Sequence, residues 1–157
     1  MKLENLIEEI DIEFESLEII VAELLKLTHD VGDKNPNIRD LTAASAFLAQ
    51  FYNGVENILK RFYRFLNKPF PTGADWHITL FRSFCDPPEE KLPLLFSKQL
   101  DDKLSSFRKF RHVVHHGYGF KLDWAILKPG IDGINDIFKE FKMVVGKVLS
   151  DLKGQKQ

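Results

Sequence analysis

Three of the five histidines in this 157-residue chain fall within five positions of one another. They lie in the stretch Arg108-Lys109-Phe110-Arg111-His112-Val113-Val114-His115-His116-Gly117-Tyr118. Imidazole is the side chain that changes charge near neutral pH, and here it is interleaved with two guanidinium groups and followed by a phenol. Three chemistries fit such a stretch. His112 and His116 are four apart and share one face of a helix, as two zinc ligands would. Residue 113 is Val, however, so the glutamate of an H-E-x-x-H helix is missing, and no third ligand is close in sequence. Histidines near a helix C-terminus also serve a purely structural purpose, because they interact well with the dipole and the last carbonyls. The third chemistry is cleavage of a phosphodiester. A histidine accepts or donates a proton, an arginine holds the phosphate through paired hydrogen bonds, and RNA brings its own nucleophile in the 2′-hydroxyl. That chemistry needs no metal and no cofactor.

Two Arg/His pairs have suitable spacing, Arg111 with His116 and Arg108 with His115. Seven residues nearly complete two helical turns, so Arg108 and His115 share a face. Five residues rotate by about 140°, so Arg111 and His116 diverge unless the helix ends there. Gly117 is expected to end the helix there. The divergence also suggests a composite site in which two chains each present half.

Elsewhere the polar residues read more blandly. His77, after Trp76, reads as a satisfied turn residue. Glu56, Lys60, Arg61 and Arg64 read mainly as a solvated helix face, with a lesser reading as part of an RNA groove. Trp76 and Trp124 read as core.

The pattern that must position these residues is helical nearly throughout. Leu3, Ile7, Ile10, Phe14, Leu17, Val21 and Leu24 step by fours and threes, which predicts a long first helix with one apolar stripe. Ile12, Ile19 and Leu25 lie off the stripe, so a second face is expected to be covered. Gly32 and Pro36 end this segment. A second helix is expected from an Asp40 N-cap to about Leu66, burying Ala43, Phe47, Val55, Ile58, Phe62 and Leu66. The short loop makes these two an antiparallel pair. A short helix follows from Asp75, and Ser97 caps a fourth carrying Leu100, Leu104, Phe107, Phe110 and Val114. Lys128-Pro129-Gly130 reads as a turn, with Asp132 capping a last helix. Nothing alternates with period two over a useful length. The fold class is therefore all-α, an antiparallel bundle of about five helices with two long N-terminal ones. The expected domain is residues 1–152, with 153–157 a frayed tail.

The composition, 44% hydrophobic and 29% charged, suits one domain with a real core. The single cysteine, Cys85, excludes a disulfide framework and a Cys-based zinc site. The acidic, amphipathic N-terminus is unlike a signal peptide, and no apolar run has membrane-spanning length, so a cytoplasmic protein with no membrane partner is expected. The net charge of −1 speaks against a strongly basic nucleic-acid binder, but it hides a gradient. Residues 1–30 hold nine acidic residues against two lysines, a net −7, so the remaining chain carries +6 of the overall −1. A basic remainder allows a local anion site.

The segment Arg111-His112-Val113-Val114-His115-His116-Gly117-Tyr118 resembles the R-x4-6-H motif of HEPN domains, most closely the HepT-like form Arg-polar-x-x-x-His-x-Tyr. The stretch Thr72-Gly73-Ala74-Asp75-Trp76-His77, the run Phe107 to Val114, and Gly119-Phe120-Lys121-Leu122-Asp123-Trp124 are similar to one HepT-like subgroup. The resemblance covers most of the chain. One departure is His112, where the family often has Asn. The resemblance implies a HEPN-like helical domain and a metal-independent ribonuclease, typically the toxin of a toxin–antitoxin pair. It implies a homodimer with the motif helices facing across a cleft, and products with a 2′,3′-cyclic phosphate and a 5′-hydroxyl. It implies a partner antitoxin, often a small nucleotidyltransferase that modifies the motif tyrosine, here Tyr118. Carried onto this chain, His116 is the general acid/base and Arg111 the phosphate-binding group. His112 is an auxiliary polar group, and Tyr118 orients RNA or accepts the modification. Arg108 and His115 remain in reserve as further phosphate contacts. The alternative is a non-catalytic HEPN-like module that binds RNA or a protein.

Overall fold

The computed structural model describes residues 1–89 and 91–155, and among them it has five α-helices and no strand. The helices are α1 (Leu3–Val31), α2 (Ile38–Phe65), α3 (Trp76–Arg82), α4 (Lys98–His116) and α5 (Trp124–Gln155). A 3-10 turn, Gly119–Lys121, joins the last two. The all-helical bundle read from the sequence is the architecture observed.

On α1 the buried residues are Leu3, Leu6, Ile10, Phe14, Leu17, Val21, Leu24 and Val31, the expected stripe with Leu6 taking the innermost place beside a half-buried Ile7. Gly32 then turns the chain with φ +59, a left-handed conformation that favours glycine, and its N–H donates to the Thr28 carbonyl at 3.1 Å. Ile12, Ile19 and Leu25, expected under a second covered face, are exposed (55%, 65% and 38%), because α2 and α5 pack against one side of α1 only.

The start of α2 departs from expectation. Asn37 rather than Asp40 is the N-cap, and its Oδ1 accepts the Asp40 N–H at 2.8 Å. Asp40 falls in the first turn, where a carboxylate meets the positive end of the helix dipole. α2 is the central helix, packed against α1, α3, α4 and the 3-10 turn. Leu48, Phe51, Tyr52, Val55, Ile58, Leu59 and Phe62 are all fully buried, whereas Ala43, Phe47 and Leu66 are only half-buried. The burial is wider than one stripe because α1, α3, α4 and the 3-10 turn all pack on this helix.

Ser97 caps α4 as expected, its Oγ accepting the Leu100 N–H at 3.2 Å, and Gly117 ends it. The expected turn at Lys128-Pro129-Gly130 does not form. Asp123, not Asp132, begins α5, with its carboxylate accepting the Ala125 N–H at 2.9 Å. The helix runs through the exposed Pro129. An interior proline costs about 3 kcal/mol. Leu127, Ile131 and Ile134 straddle it on one fully buried stripe, and burying such side chains contributes about 1.5–3 kcal/mol each. Asp132 instead pairs with Lys128 one turn back, at 2.7 Å. The segment expected to fray is helical through Gln155, and Lys156 and Gln157 lie outside the described residues.

The core is built on phenylalanine. Phe81 stacks on Phe96 at 4.3 Å, Phe96 on Phe141 at 5.8 Å, and Phe14 meets Phe138 and Phe141 edge-on at 6.1 Å. Close approach of α1 and α2 depends on Gly54, where a Cβ would stand 2.5 Å from Leu17 Cδ2. Gly54→Val is therefore expected to lower the unfolding free energy by about 1–3 kcal/mol, the usual cost of an overpacked core. A urea titration followed by far-ultraviolet circular dichroism measures it, and an unchanged midpoint refutes the close packing.

Candidate active site

Arg111 lies on the inner face of α4, turned toward α2, with its side chain 20% exposed. Its Nε donates to Asn53 Oδ1 at 2.5 Å and lies 3.1 Å from Glu56 Oε1. Its Nη1 lies 3.4 Å from His77 Nε2. The other His77 nitrogen, Nδ1, is 2.5 Å from Glu56 Oε2. Glu56 is 2% exposed, so a buried carboxylate on α2 is shared by a guanidinium from α4 and an imidazole from α3. The Oε1 contact with Arg111 has the separation of an ion pair but not the alignment of a hydrogen bond, which leaves Oε1 unpartnered among the described residues.

Asn53, Glu56, Asn57 and Lys60 follow one another at helical spacing and form a polar face on α2. Lys60 Nζ lies 4.7 Å from the Trp76 ring, which itself lies against His77 with ring centroids 3.3 Å apart. Toward α1, Arg61 pairs with Glu13 at 2.9 Å and Glu9 at 3.3 Å, and Arg64 also reaches Glu9. Glu56 and Arg61 are thus not a solvated face. Glu56 is buried under α3 and α4, and Arg61 is held against α1. Trp76 and Trp124, expected in the core, are half-buried at its rim.

The other motif residues look outward. His112, His115, His116 and Tyr118 are exposed. α4 stays helical through His116, so the rotation of about 140° that separates residues 111 and 116 applies, and one chain does not bring these two side chains together. His112 and His116 share a face, with rings 4.5 Å apart, and no cluster of three metal-ligating side chains forms among the described residues. Tyr118 is 66% exposed and packs against Phe120 with ring centroids 5.5 Å apart. The turn that carries it lies against α2, where the one Ser45 hydroxyl proton is shared between the Leu41 carbonyl at 2.8 Å and the Gly119 carbonyl at 2.9 Å.

Arg108 and His115, which share a helical face, meet different surroundings. His115 is exposed, while Arg108 is half-buried with its guanidinium 5.4 Å over the Phe81 ring. Its Nη1 is buried and without a hydrogen-bond partner among the described residues. Burial pushes the nearby Tyr52 hydroxyl well above the ordinary phenol range, and the Glu56 charge adds to this. A groove of about 1020 Å3 opens at the far end of the bundle between Leu66, Leu94, Met143 and Val148, and it holds none of the motif residues. Among the described residues no helix is long and apolar enough to cross a membrane.

Sequence reasoning missed Asn53, Glu56 and His77 as partners of Arg111. A signal for Glu56 was present. It lies on the row Tyr52, Glu56, Leu59, Tyr63, where the other three residues are core-forming, and a carboxylate in such a row needs a cationic partner. No comparable signal marked His77, which is separated from Glu56 by 21 positions.

A family model described as HepT-like protein matches residues 43–152 of this chain, from the second turn of α2 to near the end of α5. No match is found among curated proteins or among solved structures.

Two outcomes test this geometry. Glu56→Ala should cost about 1–3 kcal/mol, because the guanidinium it leaves is only partly buried and keeps Asn53, while Glu56→Leu combined with Arg111→Leu should cost less. Chemical denaturation of the three proteins measures it, and equal stability of single and double variants rejects the coupling. Cys85 is half-buried, and burial, helped by the Asp101 charge, pushes its thiol up to about 11. Since the thiolate is the reactive form, alkylation by iodoacetamide should lag a free cysteine and rise only as pH climbs toward that value. Fast alkylation at neutral pH would contradict the burial.

Proposed function

This chain belongs to the HepT-like protein family, and from that premise we propose that it is a metal-independent endoribonuclease, the toxin of a toxin–antitoxin pair. The observation that carries the reading is the fixed guanidinium of Arg111, held at the edge of the bundle on the same helix as three exposed histidines. A guanidinium held in place before substrate arrives suits a scissile phosphate, because its charge need not be reorganised as the phosphorane forms.

In this mechanism Arg111 binds the phosphate through its remaining N–H groups. A general base takes the proton of the 2′-hydroxyl as its oxygen bonds to phosphorus, the bond from phosphorus to the 5′-oxygen breaks, and the leaving oxygen takes a proton from His116, the acid/base of the motif. The products are a 2′,3′-cyclic phosphate and a 5′-hydroxyl. His112 assists as a neighbouring polar group, and His115 adds a phosphate contact at the rim. Arg108 stands farther in and steadies the helix against Phe81.

The rotation between residues 111 and 116 supports a two-chain site, with Arg111 of one copy working beside His116 of a second. The exposed Tyr118 hydroxyl is open to modification by a nucleotidyltransferase antitoxin, which would put a charged group where RNA binds. A binding-only module is the second reading, favoured by the capture of Arg111 by Glu56 within one chain.

Purified protein incubated with mixed RNA in EDTA should cleave it and leave cyclic-phosphate ends. His116→Ala should lower the rate by about 10²–10⁴-fold, the usual worth of a positioned acid/base, and should relieve growth arrest on expression. RNA bound without cleavage selects the module, and loss of cleavage in EDTA rejects the metal-free mechanism.

A further inference from the structure

We propose that His77 is the second proton-transfer group of this site, the base that removes the 2′-hydroxyl proton of an RNA whose phosphate Arg111 holds. The inference rests on the ribonuclease reading and adds to it a residue outside the Arg-His motif.

Four observations carry it. First, Glu56 Oε2 lies 2.5 Å from His77 Nδ1, and the carboxylate is 2% exposed. A buried carboxylate on one imidazole nitrogen keeps the proton on that nitrogen, which fixes the tautomer and the ring orientation and leaves the other nitrogen as the acceptor. Second, His77 Nε2 faces a donor, Arg111 Nη1, at 3.4 Å, so this nitrogen carries the lone pair. Third, the His77 and Arg111 side chains are 25% and 20% exposed, so the pair is reachable from solvent although its carboxylate is not. Fourth, Nε of Arg111 is committed to Asn53 and Glu56, which leaves the Nη groups, on the side where His77 stands, to meet an anion. A phosphate drawing Nη1 to itself frees the His77 lone pair at the place where the 2′-hydroxyl arrives. The charged groups around His77 are Glu56 from α2, Arg111 from α4, and Lys60 from α2 across the Trp76 ring.

Proton bookkeeping favours two histidines. Transfer to a cyclic phosphate removes one proton from O2′ and delivers one to O5′, and a single imidazole does these in sequence only by turning between the two oxygens. Within one chain His116 lies about 140° around α4 from Arg111, whereas His77 is beside it. His77 Nε2 accepts the O2′ proton as O2′ bonds to phosphorus, and His116 gives its proton to O5′ as that bond breaks. The ligand class follows: an RNA strand with a free 2′-hydroxyl immediately 5′ to the scissile phosphate. One deoxynucleotide at that position abolishes cleavage.

The test compares His77→Ala, His77→Gln and His116→Ala with the wild type in a single-turnover RNA cleavage assay across pH. Folding is checked by thermal unfolding. Glutamine offers Glu56 a donor and Arg111 an acceptor but takes up no proton, so it holds Arg111 without acting as a base. Both His77 variants should lose about 10²–10⁴-fold, and the falling limb at low pH, where the base is protonated, should vanish. Added imidazole should restore part of the rate of His77→Ala, and His116→Ala should remove the high-pH limb instead. Near-wild-type cleavage by His77→Gln, or a loss in His77→Ala that leaves both limbs in place and does not respond to imidazole, assigns His77 to positioning and overturns the proposal. A wild-type protein that cleaves no RNA overturns the ribonuclease reading, and this inference with it.

Discussion

A carboxylate taken out of water must find compensating charge or donors, and the idealised penalty for leaving it without them exceeds the whole stability of a small domain. Glu56 imposes that requirement at the centre of this bundle. Its answer comes from two elements far away in sequence, His77 at the start of α3 and Arg111 near the end of α4. The first half of α4 is held by Leu100, Leu104 and Phe107, all fully buried. Its second half has no fully buried apolar residue, only half-buried Phe110 and Val114. There the register of α4 against α2 depends on polar contacts: Arg111 to Asn53 and Glu56, and Ser45 to the Gly119 carbonyl. The segment that bears the motif is thus positioned by electrostatics and hydrogen bonds more than by packing.

Ion pairs between helices also use part of the charge gradient along the chain. Glu9 and Glu13 on acidic α1 take up Arg61 and Arg64 of α2, and Glu18 takes up Lys142 of α5 at 2.7 Å. With these cations committed, the basic groups remaining near the motif are Arg111, held by one buried carboxylate, Arg108 over Phe81, the exposed Lys109, Lys60 above Trp76, and Lys121 beside Tyr118. The anion-facing surface is small and local, which suits recognition of one phosphate better than a long electrostatic track. α4 therefore has two chemically distinct sides, an inner one with Arg111 and an outer one with His112 and His116.

The long helices were legible because period and length agree. The stripe of α1 and the Ser97 cap of α4 are local signals, and tertiary structure left them in place. Pro129 misled because its local meaning, a helix stop, is outweighed by Leu127, Ile131 and Ile134 packing on one buried stripe. Asp40 and Asp132 were capping candidates by residue type. Asn37 and Asp123 took the caps because the first helical turns begin where the loops let them begin. The exposed Ile12 and Ile19 show the converse error, since an apolar residue off the stripe need not be covered at all.

By itself the sequence determined the helical class, the order of the elements and the motif Arg111 to Tyr118, because periodicity and short-range spacing are properties of neighbouring residues. It also determined that residues 111 and 116 point different ways, which is fixed by the helical repeat. Only the tertiary structure decided what Arg111 touches. Asn53, Glu56 and His77 come from two other helices, and their meeting depends on how α3 and α4 settle across α2. A contact across 58 positions leaves no mark on local spacing, because it is made by packing after the helices exist.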